Sequence, residues 1–136
     1  MSQQHLRYLM GATTLEVALN NEKRVVEALG TNYPFADRPP WIKNVRLATK
    51  DEDNRGKDVV VETTDVGNIL IQVKSSTWAK QKFLRRQAYG EVSIRILCVI
   101  ISASNDASAI CRIIMPLLNR AHNERVAKRH PNSTRH

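Results

Sequence analysis

The sequence lacks the long apolar segments that mark membrane-spanning and secreted proteins. Its longest uninterrupted apolar run extends only from Ile96 to Ile101, whereas a transmembrane helix needs about twenty such residues. The first residues, MSQQHLRYLMGATT, contain no apolar core of the kind found in secretion signals. We therefore expect neither a membrane span nor export, and we predict a cytoplasmic protein.

Cysteine and clustered metal ligands are also scarce. The two cysteines, Cys98 and Cys111, lie in apolar surroundings, and the four histidines are scattered along the chain. No CxxC, HxH or HExxH motif is present, so neither a disulfide framework nor a zinc site is predicted. Reduced, buried thiols fit a protein of the reducing cytoplasm.

The composition is that of a globular domain. Hydrophobic residues make up 42% of the 136 residues and charged residues 25%, a balance typical of chains that bury a core. No internal repeat and no long linker divides the sequence. We predict a single domain over residues 1–136, with a loose arm at 1–12 and a frayed basic tail at 130–136.

The positive charge is concentrated in the second half of the chain. The net charge is +8. Residues 1–73 contain nine Lys or Arg and ten Asp or Glu, whereas residues 74–136 contain twelve and three. Such an asymmetry favours a polyanionic partner, most often nucleic acid. The alternative is a basic surface that serves only solubility.

Periodicity and turn residues predict seven elements in the order αβββαβα. They are a helix at 13–29, strands at 41–50, 58–63 and 69–75, a helix at 78–89, a strand at 94–102 and a helix from 107 towards 129. Residues 51–57 are predicted as a polar loop. This order indicates an α/β fold, a mixed central sheet with helices on both faces.

Two predicted helices each contain one residue that departs from the helical pattern. Glu22 falls on the apolar stripe of the first helix, between Ala18 and Val25, so a carboxylate lies on the face that should be buried or turned to a cleft. Pro116 interrupts the last helix, where a kink or a break is expected. Alternatively, residues 110–115 form a further strand.

Polar residues interrupt the two central strands. Asp58 begins one of them, and Gln72 and Lys74 lie on the next. Alternate residues of a strand share a face, so Gln72 and Lys74 point the same way while Ile71 and Val73 point into the core. A three-residue loop at 66–68 would put Gln72 opposite Glu62, and Asp58 on the same face. A two-residue loop would reverse that relation.

Such a group of polar side chains is costly inside a hairpin unless its members serve one another. Two carboxylates, Asp58 and Glu22, together with the amide oxygen of Gln72 and the carbonyl of Val73, offer oxygen ligands suited to Mg²⁺. Lys74 would stabilise a phosphate, position a water molecule or help to deprotonate it. The alternative is that Asp58 starts a strand and Lys74 protects a sheet edge.

These residues resemble the PD-(D/E)xK nuclease superfamily, to which restriction endonucleases, Holliday-junction resolvases and Mrr-like enzymes belong. The matching positions are Glu22, Asp58 and Gln72-Val73-Lys74, followed by a basic helix. The resemblance spans residues 15–101 and is closest to the QxK form of the Mrr-like branch. It departs in having Lys57 before the aspartate and Gln72 in place of the second acid.

The resemblance implies a restriction-endonuclease-like core and a role for each residue. Asp58 and Gln72 would bind Mg²⁺ or Mn²⁺ with the carbonyl of Val73. Lys74 would be the catalytic lysine. Glu22 would orient the attacking water or bind the metal directly. A homodimer is a further implication, because many relatives cut two strands.

The basic helix that follows the motif is expected to hold the nucleic-acid backbone. The candidate phosphate-binding residues are Ser75, Ser76, Lys80, Lys82, Arg85 and Arg86. The four cations spread around the helix, so not all of them reach one ligand, and a solvated face is the alternative. Trp41 and Trp78 are expected in the core or at its rim rather than as platforms for bases.

We therefore predict a metal-dependent nuclease that hydrolyses phosphodiester bonds, with DNA as its substrate. The main alternative is a nucleic-acid-binding module of the same fold, whose site is impaired because Gln72 removes one negative charge. A third possibility is a protein-interaction domain with a basic face.

Overall fold

A computed structural model describes residues 21–30, 33–34, 38–53, 58–91 and 95–129. The predicted arm at 1–12, the beginning of the first helix and the tail at 130–136 lie outside these ranges. The bounds of the helices and strands are α1 (residues 21–29), β1 (Ile42–Leu47), α2 (Lys50–Asp53), β2 (Val59–Thr63), β3 (Asn68–Lys74), α3 (Thr77–Ala88), β4 (Ile96–Ile100) and α4 (Ala107–Arg129).

The four strands form one mixed sheet in the order β1-β2-β3-β4. The first two pairings are antiparallel, and β3 runs parallel to β4. A parallel pair needs a crossover connection, which α3 supplies between β3 and β4. The predicted α/β class with a mixed sheet is confirmed.

Helices cover both faces of the sheet. One face packs against α1 and α4 in a single apolar cluster that includes Leu29, Ile71, Ile114 and Leu118, all 0% exposed. The other face packs against α3, where Phe83 contacts Ile96. Both faces of the central strands are therefore buried. This explains why β2 begins with three valines, since β-branched residues suit a buried strand.

The hairpin between β2 and β3 has a register that differs from the predicted one. Val59 pairs with Ile71, and Glu62 pairs with Asn68 rather than with Gln72. The loop does hold three residues, 64–66, but it is centred two positions earlier than expected. Thr63 closes it by accepting from Val66 N at 2.9 Å through its hydroxyl. Because the displacement is even, the predicted faces of the strands are retained.

The predicted helix from 107 towards 129 is confirmed. Helix α4 continues from Ala107 through Pro116 to Arg129, so neither a break at Pro116 nor the alternative strand at 110–115 occurs. Proline removes one backbone hydrogen bond, but Ile110, Ile114 and Leu118 on either side are buried and hold the helix against the sheet. Residues 51–53, predicted as loop, belong to a helical turn at Lys50–Asp53, which also takes Lys50 from the end of the predicted first strand. None of the helices within the described residues is long and apolar enough to span a membrane.

A histidine ties the hairpin loop to α4. The Nε2 atom of His122 lies 2.8 Å from a carboxylate oxygen of Asp65. Its ring stacks on Trp41 with centroids 4.0 Å apart. Trp41 therefore belongs to the rim of the core, as expected. These contacts join the sheet's hairpin to the longest helix and so hold the strand ends in place.

The buried thiol of Cys111 should make the folded protein less stable at alkaline pH. Cys111 is fully buried and its Sγ donates to Ala28 O at 3.3 Å. Burial raises the pKa of this thiol from 9.0 to about 11. Between these values the folded state keeps a proton that the unfolded state has lost, so rising pH favours unfolding.

We expect the wild type to lose stability between about pH 9 and pH 11, by up to about 2–3 kcal/mol from this group alone. Guanidinium unfolding of the wild type and of Cys111→Ala, at about pH 8 and about pH 11, measures the difference. The variant is less stable at the lower pH, but its loss on alkalisation is smaller. An equal loss in both proteins would contradict the assignment.

Candidate active site

The polar residues singled out by the sequence meet at one end of the sheet. Glu22 from α1, Asp58 before β2, and Gln72 and Lys74 from β3 line a single cavity of about 270 Å³. Asn21, Val73, Ser75 and Ala79 complete its lining. The cavity thus lies where the end of β3 meets the starts of β2 and α3.

Asp58 and Gln72 form a buried pair at the bottom of this cavity. One step beyond the pairing of Val59 with Ile71, the hairpin register brings Asp58 beside Gln72. The Oδ2 atom of Asp58 accepts from Gln72 Nε2 at 2.8 Å and from the backbone N–H of Val73 at 3.0 Å. Both side chains are 7% exposed. Two donors thus fix the orientation of a carboxylate that the fold has taken out of water.

The other end of the Gln72 amide is an unsatisfied acceptor. Gln72 Oε1 is buried and has no hydrogen-bond partner among the described residues. Leaving a buried polar group without a partner costs about 1–3 kcal/mol, so such atoms call for an explanation. A divalent cation bound between this oxygen and the carboxylate of Asp58 would satisfy the acceptor.

Lys74 lies at the cavity wall formed by α3. Its side chain is half-buried, and its Nζ lies 5.6 Å from the centroid of the Phe83 ring. Cys98, the partner of Gln72 in β4, shares this neighbourhood. Burial raises the pKa of the Cys98 thiol, the charge of Lys74 opposes that rise, and the charge of Asp58 adds to it. The charges of Lys74 and Asp58 therefore both act on this thiol, and both side chains line the cavity.

Polar contacts from α1 bring Glu22 to the same cavity. The buried Asn21 donates from Nδ2 to Ile101 O at 3.1 Å, just beyond β4. Arg24 donates to Asn21 Oδ1 at 2.9 Å and to Ser102 O at 3.1 Å. These contacts attach α1 to the end of the sheet. Glu22, between the two anchoring residues, is directed into the cavity as a half-buried carboxylate.

Sequence reasoning missed both anchoring residues, Asn21 and Arg24. Asn21 precedes the buried Val25 and Ala28 by four and seven residues, a helical spacing that places its amide on the inner face. A polar residue at such a position needs a partner across the interface. The spacing that places Asn21 on the inner face can be read from the sequence. The carbonyl just beyond β4 that accepts its hydrogen bond cannot.

The cavity offers few carboxylates as possible metal ligands. Among the described residues, no group of three or more His, Cys, Asp or Glu side chains is placed to hold a metal ion. The available set is the carboxylates of Asp58 and Glu22, the amide oxygen of Gln72 and the carbonyl of Val73. Strand geometry directs the Val73 carbonyl to the same side as its N–H, towards Asp58. Mg²⁺ commonly binds through one or two carboxylates and retains several waters.

The residues predicted to bind nucleic acid occupy different environments. Ser75 lines the cavity, while Ser76 caps α3 by accepting from Ala79 N at 3.2 Å. Arg86 forms an ion pair with Glu91 at 3.3 Å. Lys82 lies over the ring of Trp78, 5.3 Å from its centroid.

The remaining two cations, Lys80 and Arg85, lie on different sides of α3. Lys80 is half-buried and close enough to Cys98 to lower the pKa of its thiol, whereas Arg85 is exposed. Trp78 is 70% exposed and does not belong to the core.

Comparison of the chain with family models, with curated proteins and with solved structures gives no match.

Proposed function

We propose that the protein is a Mg²⁺-dependent nuclease with a restriction-endonuclease-like core, acting on DNA in the cytoplasm. The observation that carries the proposal is the convergence of Glu22, Asp58, Gln72 and Lys74 on one cavity. These residues come from three separate segments of the chain, and each is of the type that phosphodiester hydrolysis requires.

The topology supports the proposal. A helix precedes three antiparallel strands, and a crossover helix leads to a fourth, parallel strand. This is the order that the resemblance to the PD-(D/E)xK superfamily implies. The acid that opens β2 and the QxK segment that ends β3 lie side by side, as that resemblance also implies.

The proposal gives each of these residues a role. When bound, Mg²⁺ would supply Lewis-acid activation of water and of the scissile phosphate. Asp58, fixed by two hydrogen bonds, and Gln72 Oε1 would hold the ion with the Val73 carbonyl. Lys74 would direct its ammonium to the phosphate, and Glu22 would accept a hydrogen bond from the attacking water.

The start of α3 favours an anion at this place. Ser75 and Ala79 line the cavity, so the first turn of α3 faces it. The first turn contains no acidic residue. The positive end of the helix dipole would attract a phosphate group there. The positive end of the helix offsets part of the repulsion between the phosphate and the carboxylates of Asp58 and Glu22.

A plasmid-nicking assay tests the proposal. We expect the wild type to nick supercoiled DNA with Mg²⁺ or Mn²⁺ and to stop when EDTA is added. Lys74→Ala should be about a hundredfold slower, which is typical for the loss of one charge-stabilising group. Lys43→Ala removes an exposed lysine on β1 and serves as the matched control, with unchanged nicking.

One observation also favours a second function. Gln72 places an amide where a second carboxylate would bind the metal more tightly, and its Nε2 is engaged with Asp58. A nucleic-acid-binding module with an impaired site would show this arrangement as well. DNA binding without nicking under any divalent metal would favour the module over the nuclease.

A further inference from the structure

The outer side of α3 carries aromatic and basic residues in one row. Trp78, Lys82 and Arg85 of α3 and Tyr89, the residue that caps its C-terminus, follow one another at steps of four, three and four residues. This is the spacing of a single helical face. We name these four residues the α3 stripe. All four are exposed, Trp78 by 70% and Tyr89 by 81%. At 1.5 Å per residue the row is about 16 Å long.

The α3 stripe faces away from the core. Phe83, the buried residue of α3, packs on the sheet. Its position on the helix lies well over 90° from the row, since each residue turns the helix by about 100°. Large aromatic side chains on an exposed face are unusual unless the face has a partner. The sheet therefore does not explain why two aromatic rings occur there.

The chemistry of the stripe selects its partner. Aromatic faces at both ends stack on planar rings, and the two cations between them pair with anions. Nucleic acid presents this alternation of bases and phosphates. The ammonium of Lys82 already lies 5.3 Å from the Trp78 centroid, so charge and ring act as one platform. No acidic residue lies within α3 itself to repel a phosphate.

We propose that the α3 stripe binds a single strand of nucleic acid, with unpaired bases on Trp78 and Tyr89 and phosphates on Lys82 and Arg85. A duplex hides the faces of its bases within its own stack, so rings on a convex helix cannot reach them. An unpaired strand exposes those faces, and stacking on them tolerates any sequence.

The position of the stripe also indicates the substrate of the cavity, and this step rests on the proposed function. Ala79 lines the cavity, and Trp78 is its neighbour in the chain. A base stacked on Trp78 would therefore belong to a nucleotide close to the scissile phosphate. The substrate class is nucleic acid with an unpaired segment at the cleavage point, such as a gap, a flap or a branch.

Binding is measured without metal, so that cleavage plays no part. A fluorescein-labelled oligothymidylate is titrated with the protein in EDTA, and anisotropy reports the affinity. The chain has two tryptophans, of which Trp41 is stacked on His122 and Trp78 is exposed. We expect the oligonucleotide to quench the tryptophan fluorescence of the wild type and to leave that of Trp78→Phe nearly unchanged.

The variants separate stacking from charge. Trp78→Ala should weaken binding about tenfold or more, whereas Trp78→Phe keeps most of the affinity. Arg85→Ala should lower the slope of log affinity against log salt by about 0.7, the value for one phosphate contact of a single strand. Arg112→Ala is the matched control, because Arg112 is an exposed arginine of α4, which packs on the opposite face of the sheet from α3. All of these side chains are exposed, so the fold is retained.

The outcomes distinguish this inference from the nuclease proposal. Two results would overturn single-strand binding by the α3 stripe, even if Lys74-dependent nicking occurs. One is an affinity for the single strand that is unchanged in Trp78→Ala, and the other is an equal affinity for a duplex of the same length. Affinity that falls in Trp78→Ala supports the stripe even if no metal yields nicking, in which case the nuclease proposal alone fails.

Discussion

Replacing Asp58 by asparagine is expected to slow metal-dependent cleavage about 10³-fold, while the fold and the affinity for DNA are retained. Asp58 is the buried carboxylate of the cavity, 7% exposed, and in the proposed function its negative charge would attract the divalent cation. Removing one group that stabilises charge in the transition state typically costs about 10²–10³-fold in rate.

The asparagine preserves the local structure for a specific reason. Its single amide oxygen can take the place of Oδ2 and accept from both Gln72 Nε2 and the N–H of Val73. The loss of activity would then reflect charge and not a displaced strand. DNA affinity in EDTA should stay equal or rise, since one negative charge has left a cavity that meets a phosphate.

The measurement is the rate of nicking at saturating Mg²⁺, with DNA affinity in EDTA determined on the same preparations. Asp51→Asn is the control, because Asp51 is an exposed acid in α2, away from the cavity. A rate for Asp58→Asn within a few fold of the wild type would rule out Asp58 as a metal ligand. Equal losses in both variants would point to a general charge effect.

The sequence predicted the strands well because their side chains are unusually uniform. Three consecutive valines open β2 and are all 0% exposed. Such a run fits only a strand buried on both faces. Period-two alternation then put Gln72 and Lys74 on one face whatever the loop. The same face was predicted for Asp58, and its hydrogen bond to Gln72 shows that the two side chains meet.

The pairing of Asp58 with Gln72 was beyond sequence reasoning because it depends on where the loop closes. Gly67 adopts a positive φ of 78°, and the Thr63 hydroxyl bonds to both Val66 N and Gly67 O. A side-chain hydroxyl thus decides which residues form the loop. Centring the loop two residues later is equally compatible with the composition of the segment.

Tertiary packing also decided two features of the helices. The proline in α4 predicted a kink or a break. The helix does not break, because the apolar residues before and after the proline bury the same face. The position of Glu22 follows from contacts that join α1 to the end of β4 through Asn21 and Arg24. Periodicity identifies the inner face of a helix, but not the part of the sheet on which that face lies.

Replacing Gln72 by glutamate is expected to make the stability of the protein depend on a divalent cation. The new carboxylate would lie where an amide now donates to Asp58 Oδ2 at 2.8 Å. Two carboxylates would then face each other in a site that is 7% exposed. In EDTA we expect a loss of about 3–5 kcal/mol in the free energy of unfolding, the cost of an uncompensated buried charge.

Saturating Mg²⁺ or Mn²⁺ should recover most of that loss, because a cation between the two carboxylates turns the repulsion into attraction. In the wild type, metal at about a hundred times its dissociation constant adds only about 2.7 kcal/mol. The variant should therefore gain more from metal than the wild type does. Guanidinium unfolding with EDTA and with each metal gives both numbers.

Gln87→Glu provides the matched control. Gln87 is a half-buried glutamine whose Nε2, like that of the buried Gln72, donates a hydrogen bond, here to Ile96 O at 2.9 Å. It does not line the cavity. Its replacement should destabilise the protein equally with and without metal. If Gln72→Glu behaves in the same way, no cation binds between positions 58 and 72, and the buried amide oxygen of Gln72 is a structural cost rather than a metal ligand.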